Sequence, residues 1–559
     1  MNRILIKNRL LRWVLIILAA VVLLGILFRI SVTIRTPEVD TSCCDSLKRV
    51  VISDDHFTCG DSWLKKNDLG LWEMYLEGPD YEMGVRNGIL ASELIHLQEE
   101  AFVTKLREMV PSENYMKFLR LVVVWMNRNL DRYVPVEYQR EILGVSMQAS
   151  DSFSFIGPAY QRILTYHAAH DIGHALQNMN LVACTAFSVK GKLSKDGNLL
   201  VGRNFDFSMG DEFARNKIIV FCKPEHGNAF ASITWGGMIG VVSGMNDRGL
   251  VVTLNAAKSK IPGSAKTPTS ILARQILQYA SSVEDAWAIA SRSETFVAES
   301  FLISSAEDHR TVVIEKSPDG MGLYAPEGDS LILTNHFQSE VFANSELTLK
   351  NKKEGASVYR WERTQELLKR VRDHDEFTFT GILRDMNGLG DVPIGMGNEK
   401  AINQLIAHHS VIFKPEELKM WVSTSPYQLG QYLCYDLKRV FDDTATVSGK
   451  TYLEENTIGS DPFLSSGGYD IFMKYRDETA RLKKRIETGQ VEEIGDRQLE
   501  EYLQLNPSFY YSYYIAGEVY RLKDKPGLAE EMYNRSLSME VPREADRKMV
   551  IKARSRLRK

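Results

Sequence analysis

A cysteine, an arginine and an aspartate lie close together in "CTAFSVKGKLSKDGNLLVGRNFDF", which runs from Cys184 to Phe207. A thiolate attacks acyl carbons, a guanidinium favours thiolate over thiol, and a carboxylate can orient or deprotonate a neighbour. Cys184 heads an apolar run, "KDGN" at Lys195 is a turn signal, and "LLVGRNFDF" returns beside it, so the stretch predicts a β-hairpin. A two-residue turn at Asp196-Gly197 would set Asp206 opposite Phe187, three residues or roughly 10 Å along the strand from Cys184. Contact between Cys184 and Asp206 would then require a bulge, a longer turn or a curled strand end. The alternative is a buried cysteine acting as a small hydrophobe, with Arg203 and Asp206 as a structural ion pair.

A second cluster lies just upstream in "YHAAHDIGHALQN". His167, His170 and His174 fall at i, i+3 and i+7 on one helical face, and Asp171 adds a carboxylate, an arrangement that could hold zinc. The H-E-x-x-H pattern is absent, so the expectation is a structural helix docked near Cys184, with a zinc hydrolase as the competing reading. His408 and His409 are neighbours on a predicted strand, which should send them to opposite faces. No metal and no cofactor are expected.

These residues need elements to hold them. From Cys184 to about Leu333, short runs of Val, Ile, Phe and Thr alternate with turn signals at Lys195, Asn246 and Ser317, and "PTSILARQILQYASSVEDAWAIASRS" interrupts them as helix. Helical periodicity dominates from about Asn87 to Asn178 and again around Tyr359 to Arg372, and strands return in "HHSVIFKPEELKMWVSTSP". The class is α+β, a sheet core with helices in discrete blocks. Thr33 to about Lys65 is polar without a sustained period and reads as a stalk. From Asp470 onward the chain is helical, with Tyr513, Gly517, Tyr520, Ala529 and Tyr533 at tetratricopeptide spacing. A generic helical hairpin packed on the core is the alternative.

At the N-terminus, Arg3, Lys7, Arg9 and Arg12 precede an apolar run from Trp13 to Phe28 that continues to Val32. That length reaches roughly the 20 residues of a membrane span. The cations should stay cytoplasmic, making the segment a single-pass signal anchor with the rest of the chain on the extracytoplasmic, periplasmic side; a cleaved signal peptide is the alternative. The 559 residues carry a net charge of −4 with 44% hydrophobic and 25% charged side chains, which leaves no basic excess for nucleic acid. Six cysteines in such a chain make no disulfide framework or metal spacing, although Cys43 or Cys44 could pair with Cys59.

"CTAFSVKG" followed by "DGNLLVGRNFDFS" resembles the opening of the N-terminal-nucleophile hydrolases of the isopenicillin N acyltransferase family, related to penicillin V acylase and choloylglycine hydrolase. "EGPDYEMGVRNG" (Glu77 to Gly88) is similar to that family's G-x-x-Y-x-x-G-x-x-x-G propeptide signature. "GMNDRGLVVTLNAA", "LILTNHF", "ASVYRWER" and "HSVIFKPEELKMWVS" follow in family order, over about residues 70 to 440. The resemblance implies an αββα four-layer sandwich and a cysteine that becomes its own N-terminus, with its α-amine as general base. It implies that Arg203 favours the thiolate, Asp206 orients the new amine, Asn255 and Asn335 hold the oxyanion, and Arg360 supports the site. Cleavage would fall between Ala183 and Cys184, after a longer propeptide than is usual and after alanine where the family often has glycine.

The expected organisation is a cytoplasmic segment over 1–12, an anchor over 13–32, a stalk and helical propeptide over 33–183, the hydrolase core over 184–450 and a tetratricopeptide-like tail over 451–559. The expected activity is a thiol amidohydrolase on linear amides with a small-molecule N-acyl amide substrate. An N-acyltransferase using a thioester donor, or an inactive scaffold binding a protein partner through the helical tail, are the alternatives.

Overall fold

The computed structural model describes residues 2–110, 112–168, 171, 183–258, 260, 263–442 and 449–558. Eighteen named strands lie in two sheets among the described residues. In chain order they are β1 Val50–Ser53, β2 His56–Cys59, β3 Ser62–Lys66, β4 Trp72–Gly78, β5 Thr185–Val189, β6 Leu200–Asp206, β7 Ile218–Pro224, β8 Phe230–Thr234 and β9 Ser243–Asn246. There follow β10 Leu250–Ala256, β11 Glu299–Ser305, β12 Arg310–Ser317, β13 Gly320–Tyr324, β14 Ser330–Leu333, β15 Ala407–Lys414, β16 Lys419–Ser423, β17 Tyr432–Asp436 and β18 Leu453–Ile458. The larger sheet has the order β1-β2-β3-β4-β7-β8-β9-β10-β11-β12-β13, and the smaller β14-β5-β6-β15-β16-β17-β18. Pairing is antiparallel except between β4 and β7.

Two corrections to the sequence reading follow. The segment read as a stalk supplies β1, β2 and β3 to the larger sheet, and β18 extends the smaller sheet past residue 450. Four- and five-residue strands are too short to display a period, yet Phe57, Cys59, Trp63 and Leu64 are buried. Cys43, Cys44 and Cys59 are free thiols.

One apolar cluster joins Ala186, Val201, Val411, Val422 and Leu433 of the smaller sheet to Phe221, Ala231, Val251 and Leu302 of the larger, so the sheets meet face to face. Beyond the smaller sheet, Phe187 and Leu200 pack with Phe379, Ile382 and Leu383 of the helix Glu376–Leu383. Beyond the larger one, Leu250, Val252 and Ile303 pack with residues of the helices Asp80–Met109, Val136–Ser146 and Thr269–Tyr279. The glycines of the signature over 77–88 have a packing reason. Gly84 and Gly88 lie on the helix Asp80–Met109, and a Cβ at Gly88 would stand 3.0 Å from the Val145 carbonyl oxygen of Val136–Ser146. That fit is tight, and at Gly84 a Cβ would overlap the Glu141 backbone outright, so glycine is required there.

The N-terminal helix Asn2–Val32 contains Leu11–Val32, long and apolar enough to cross a membrane. At the other end, the helices Gly468–Thr488, Asp496–Leu505, Tyr510–Leu522, Pro526–Leu537 and Glu544–Ser555 share a separate apolar cluster that includes Leu499, Val519, Tyr533 and Val550. Asn506 locks this tail to the core, accepting from the Met396 N–H at 3.0 Å and donating to its carbonyl at 2.9 Å.

Candidate active site

The β5–β6 hairpin sets the register of the site. Thr185 faces Asn204, Ala186 faces Arg203, and the Ala183 N–H continues the ladder to the Asp206 carbonyl at 3.2 Å. Of the ways to bring Asp206 near Cys184, the longer turn is the one that occurs, in place of a strict two-residue turn at Asp196-Gly197. The connection runs from Lys190 to Leu199 through a 3-10 turn at Gly191–Leu193, which shifts the pairing and brings Asp206 opposite Ala183. Strand alternation then puts Cys184, Ala186 and Arg203 on the face toward the larger sheet, with Thr185 and Asp206 on the other.

Cys184 is fully buried, and Arg203 Nη2 donates to its Sγ at 3.6 Å. The guanidinium is held by the Val242 carbonyl at 2.8 Å, the Ser243 hydroxyl and the Leu254 carbonyl, all in the larger sheet's β9–β10 region. From the opposite face, Arg360 of the helix Ser357–Arg370 donates to the Cys184 carbonyl at 2.6 Å, to Thr185 Oγ1 at 2.9 Å and to Asn335 Oδ1 at 2.7 Å. Asn335 Nδ2 donates to the Ala256 carbonyl at 2.9 Å, and Asn255 Nδ2 donates to the Leu333 and Thr334 carbonyls, each at 3.2 Å. Cys184, Arg203, Arg360 and Asn335 are thus linked by direct hydrogen bonds, Asn255 holds the carbonyls of the two residues before Asn335, and Asp206 joins through Gln404 and Ala183. In the uncleaved chain the Asn255 amide hydrogens are engaged on backbone carbonyls rather than on the thiol's surroundings, and its Oδ1 is buried without a partner.

Burial pushes the Cys184 thiol up to about 11; Arg203 pulls it down, while Asp206 and Glu299 add to the rise. At pH 7 the thiolate is then scarce, roughly one part in 10⁴, so attack needs a base. Of the two carboxyls whose charge reaches the thiol, Asp206 and Glu299, Asp206 acts on it more strongly and is the candidate. Burial raises its carboxyl to about 7 against the pull of Arg360 and Arg203, and its Oδ1 has no partner. Gln404 Nε2 donates to the other oxygen, Oδ2, at 3.0 Å and to the Ala183 carbonyl at 3.2 Å.

Sequence reasoning missed Glu299, Ser243 and Gln404. Glu299 is fully buried at the head of β11, opposite Ala256, with both carboxyl oxygens unpartnered, and burial raises it well above the ordinary range. An acidic residue opening the strand ESFLISS was its only signal; Gln404 in a loop and Ser243 beside Gly244 had none.

The histidines divide. His167 is buried, with Nδ1 on the Ile163 carbonyl at 2.9 Å and Nε2 accepting from the Ile239 N–H at 3.0 Å, so both ring nitrogens serve the fold. Asp171 receives the Thr269 N–H and hydroxyl at 2.8 and 2.6 Å. His170 and His174 lie outside the described residues, and among those described no group of three or more metal-ligating side chains occurs. The expectation that His408 and His409 point apart is overturned. A bulge between Ala407 and His409 disrupts the alternation, and their Nδ1 atoms are 2.9 Å apart. Ser243, which accepts from Arg203, meets His409 Nε2 at 2.8 Å, so the pair abuts the site from behind.

Gln404 also lines a cavity of about 800 Å³ between the core and the tail, with Phe207, Leu405, Phe472, Tyr475 and Arg476 among its walls.

Residues 193–425 match the family model described as acyl-coenzyme A:6-aminopenicillanic acid acyl-transferase. The match takes in Arg203, Asp206, Asn255, Asn335 and Arg360 and begins after Cys184. An uncharacterized protein of Archaeoglobus fulgidus is 25% identical over 267 residues, 45% of this chain and 44% of its own; the chain thus spans less than half the length of that relative. Among solved structures, the Caenorhabditis elegans ortholog of N-acylethanolamine-hydrolyzing acid amidase is 19% identical over 42% of this chain and 93% of its own, with a TM-score of 0.31. A variant of conjugated bile acid hydrolase from Clostridium perfringens is 14% identical over 48% of this chain and 95% of its own, with a TM-score of 0.33. The segment 193–425 is thus the part of this chain that is similar to the acyl-coenzyme A:6-aminopenicillanic acid acyl-transferase family, the same family that the motifs around Cys184 resemble.

Proposed function

We propose that the protein is a thiol amidohydrolase of the N-terminal-nucleophile class, acting on linear carbon–nitrogen amides after cleavage between Ala183 and Cys184. The observation that carries this reading is the buried Cys184 held from two sides, with Arg203 on its thiol and Arg360 on its carbonyl. In the cleaved protein the free α-amine of Cys184, with a reference pKa of roughly 7.7–8.0, takes the thiol proton, and no catalytic histidine is needed. The thiolate attacks the acyl carbon, the amine leaves, and water resolves the thioester. Asp206 lies opposite the residue the amine replaces and orients it; Arg203 balances thiolate charge. Asn255 and Asn335 serve the oxyanion once substrate replaces their backbone acceptors. The two sheets with helices beyond each support an αββα sandwich.

The cavity beside Gln404 supports an amphiphilic N-acyl substrate, because it combines Phe472 and Tyr475 with Lys105, Arg476, Lys483 and Lys484. The helix Leu11–Val32 supports a single-pass anchor with Arg3, Lys7, Arg9 and Arg12 on the cytoplasmic side and the catalytic domain outside. The tetratricopeptide-like tail is a surface for a protein partner. Acyl transfer remains the second reading, since a thioester can be resolved by an amine as well as by water, and the matching family model is that of an acyl-transferase. N-terminal sequencing of purified protein, with amine release from an N-acyl amino acid panel, tests the proposal. Cys184 at a new N-terminus and release lost in Cys184→Ala are expected. Hydrolysis by an uncleaved chain would overturn it, and transfer without release to water would favour the acyltransferase.

A further inference from the structure

Gln404 is buried, 1% exposed, in the loop leading into β15. The loop is pinned next to it: the Asn403 N–H donates to the Asp385 carbonyl at 2.8 Å, and Asn403 Oδ1 accepts from the Leu405 N–H at 3.0 Å. Both atoms that Gln404 faces, Ala183 O and Asp206 Oδ2, are acceptors. The amide must therefore turn its NH₂ toward them, one hydrogen to each. Ala183 O is the carbonyl oxygen of the bond to be cleaved. The other donors around Cys184 are directed elsewhere: Arg203 to the thiol, Arg360 to the Cys184 carbonyl, Asn255 to Leu333 and Thr334, and Asn335 to Ala256.

We propose that Gln404 is the oxyanion donor for self-cleavage between Ala183 and Cys184, a role separate from the oxyanion site used on substrates. This rests on the reading of Cys184 as a self-cleaving nucleophile. Asp206 takes the thiol proton, and Cys184 Sγ bonds to the Ala183 carbonyl carbon. The carbonyl π pair moves onto Ala183 O, where the Gln404 N–H meets the developing charge. Collapse breaks the C–N bond, the Cys184 nitrogen receives the proton from Asp206, and a thioester joins Ala183 to Cys184. Water then adds, the C–S bond breaks, and the products are an Ala183 carboxylate and a Cys184 with free thiol and amine. Gln404 also fixes Asp206 Oδ2, which leaves Oδ1 as the oxygen that carries the proton. A neutral donor held in place in a buried site stabilises charge with little reorganisation.

The test follows fragments of 183 and 376 residues in full-length protein, for wild type, Cys184→Ala, Gln404→Met and Gln404→Glu. Gln404→Met keeps the length and removes the donor; cleavage should slow by about 10²–10³-fold, the usual effect of losing one oxyanion donor. Gln404→Glu, which keeps the shape but cannot donate when ionised, should be comparably slow at pH 8. Hydroxylamine, which opens thioesters, should not restore the rate, because the block precedes the thioester. If wild type stays intact, or Cys184→Ala cleaves, the nucleophile reading itself fails. If wild type cleaves and either folded Gln404 variant keeps pace at pH 8, the role of Gln404 fails alone. Rescue of Gln404→Met by hydroxylamine would also overturn it, by moving the block to thioester hydrolysis.

Discussion

Self-cleavage should depend on pH through Asp206, and the structure supplies the magnitude. Its carboxyl is raised to about 7 by burial, so the basic form is half populated there. At pH 6 about a tenth is ionised and at pH 5 about a hundredth, so the first-order cleavage rate should climb nearly tenfold per unit below pH 6 and level off above about pH 8. Asp206→Asn removes this base. What remains should be slow and still rise tenfold per unit from pH 7 to 9, following the thiol raised to about 11. The assay is a pH jump from pH 5 on purified precursor, with fragments quantified on denaturing gels. Stability gives an independent reading in Cys184→Ala, which cannot cleave. A carboxyl raised in the folded state contributes stability that is present below about pH 4 and lost as pH rises through about 7. Asp206→Asn in that background should therefore be more stable at pH 8, by up to about 4 kcal/mol, and no more stable near pH 4. A flat wild-type cleavage rate between pH 5 and 8, or an unchanged profile in Asp206→Asn, would refute the assignment of the base.

Other outcomes are equally open to measurement. On cleaved material, Arg203→Ala and Asn255→Ala should each lower turnover by more than about tenfold, or about 1.4 kcal/mol of barrier; full turnover in both would remove their roles. Lys217, fully buried with its ammonium pushed down to about 7, donates among the described residues only to the His408 carbonyl, at 3.4 Å. Lys217→Met should raise the melting temperature at pH 7, and the gain should shrink toward pH 10.5, where the unfolded lysine also loses its proton; a gain independent of pH would contradict the burial argument. A Cβ at Gly202 would meet the Phe379 ring at 2.8 Å, so Gly202→Ala should cost about 1–3 kcal/mol in chemical denaturation, with a neutral result showing that the ring yields. A reporter fused after Lys559 should be active only outside the cytoplasm, and cytoplasmic labelling would reverse the orientation.

Much of the site was legible because motif residues carry local constraints. "GRNFD" needs glycine where Gly202 meets Phe379 and an asparagine whose amide reaches the Leu383 and Ile402 carbonyls, at 2.8 and 3.0 Å. The Gly84–Gly88 spacing likewise reflects one helix pressed on another. Periodicity located the helices before Cys184 and in the tail, since long amphipathic faces leave a repeating pattern. The strands over 50–66 left none, because each is too short and gains its burial from neighbours distant in sequence. The connection between Lys190 and Leu199, one long loop rather than one tight turn, decided that Asp206 faces Ala183 instead of Phe187. A bulge decided that His408 and His409 meet. Gln404 lies 221 residues from the carbonyl it touches, and Glu299 reaches the same site from another sheet. The amino-acid sequence determined which side chains could do chemistry and which strand carried them; strand register and sheet packing, set by contacts far apart along the chain, decided which of them face the bond before Cys184.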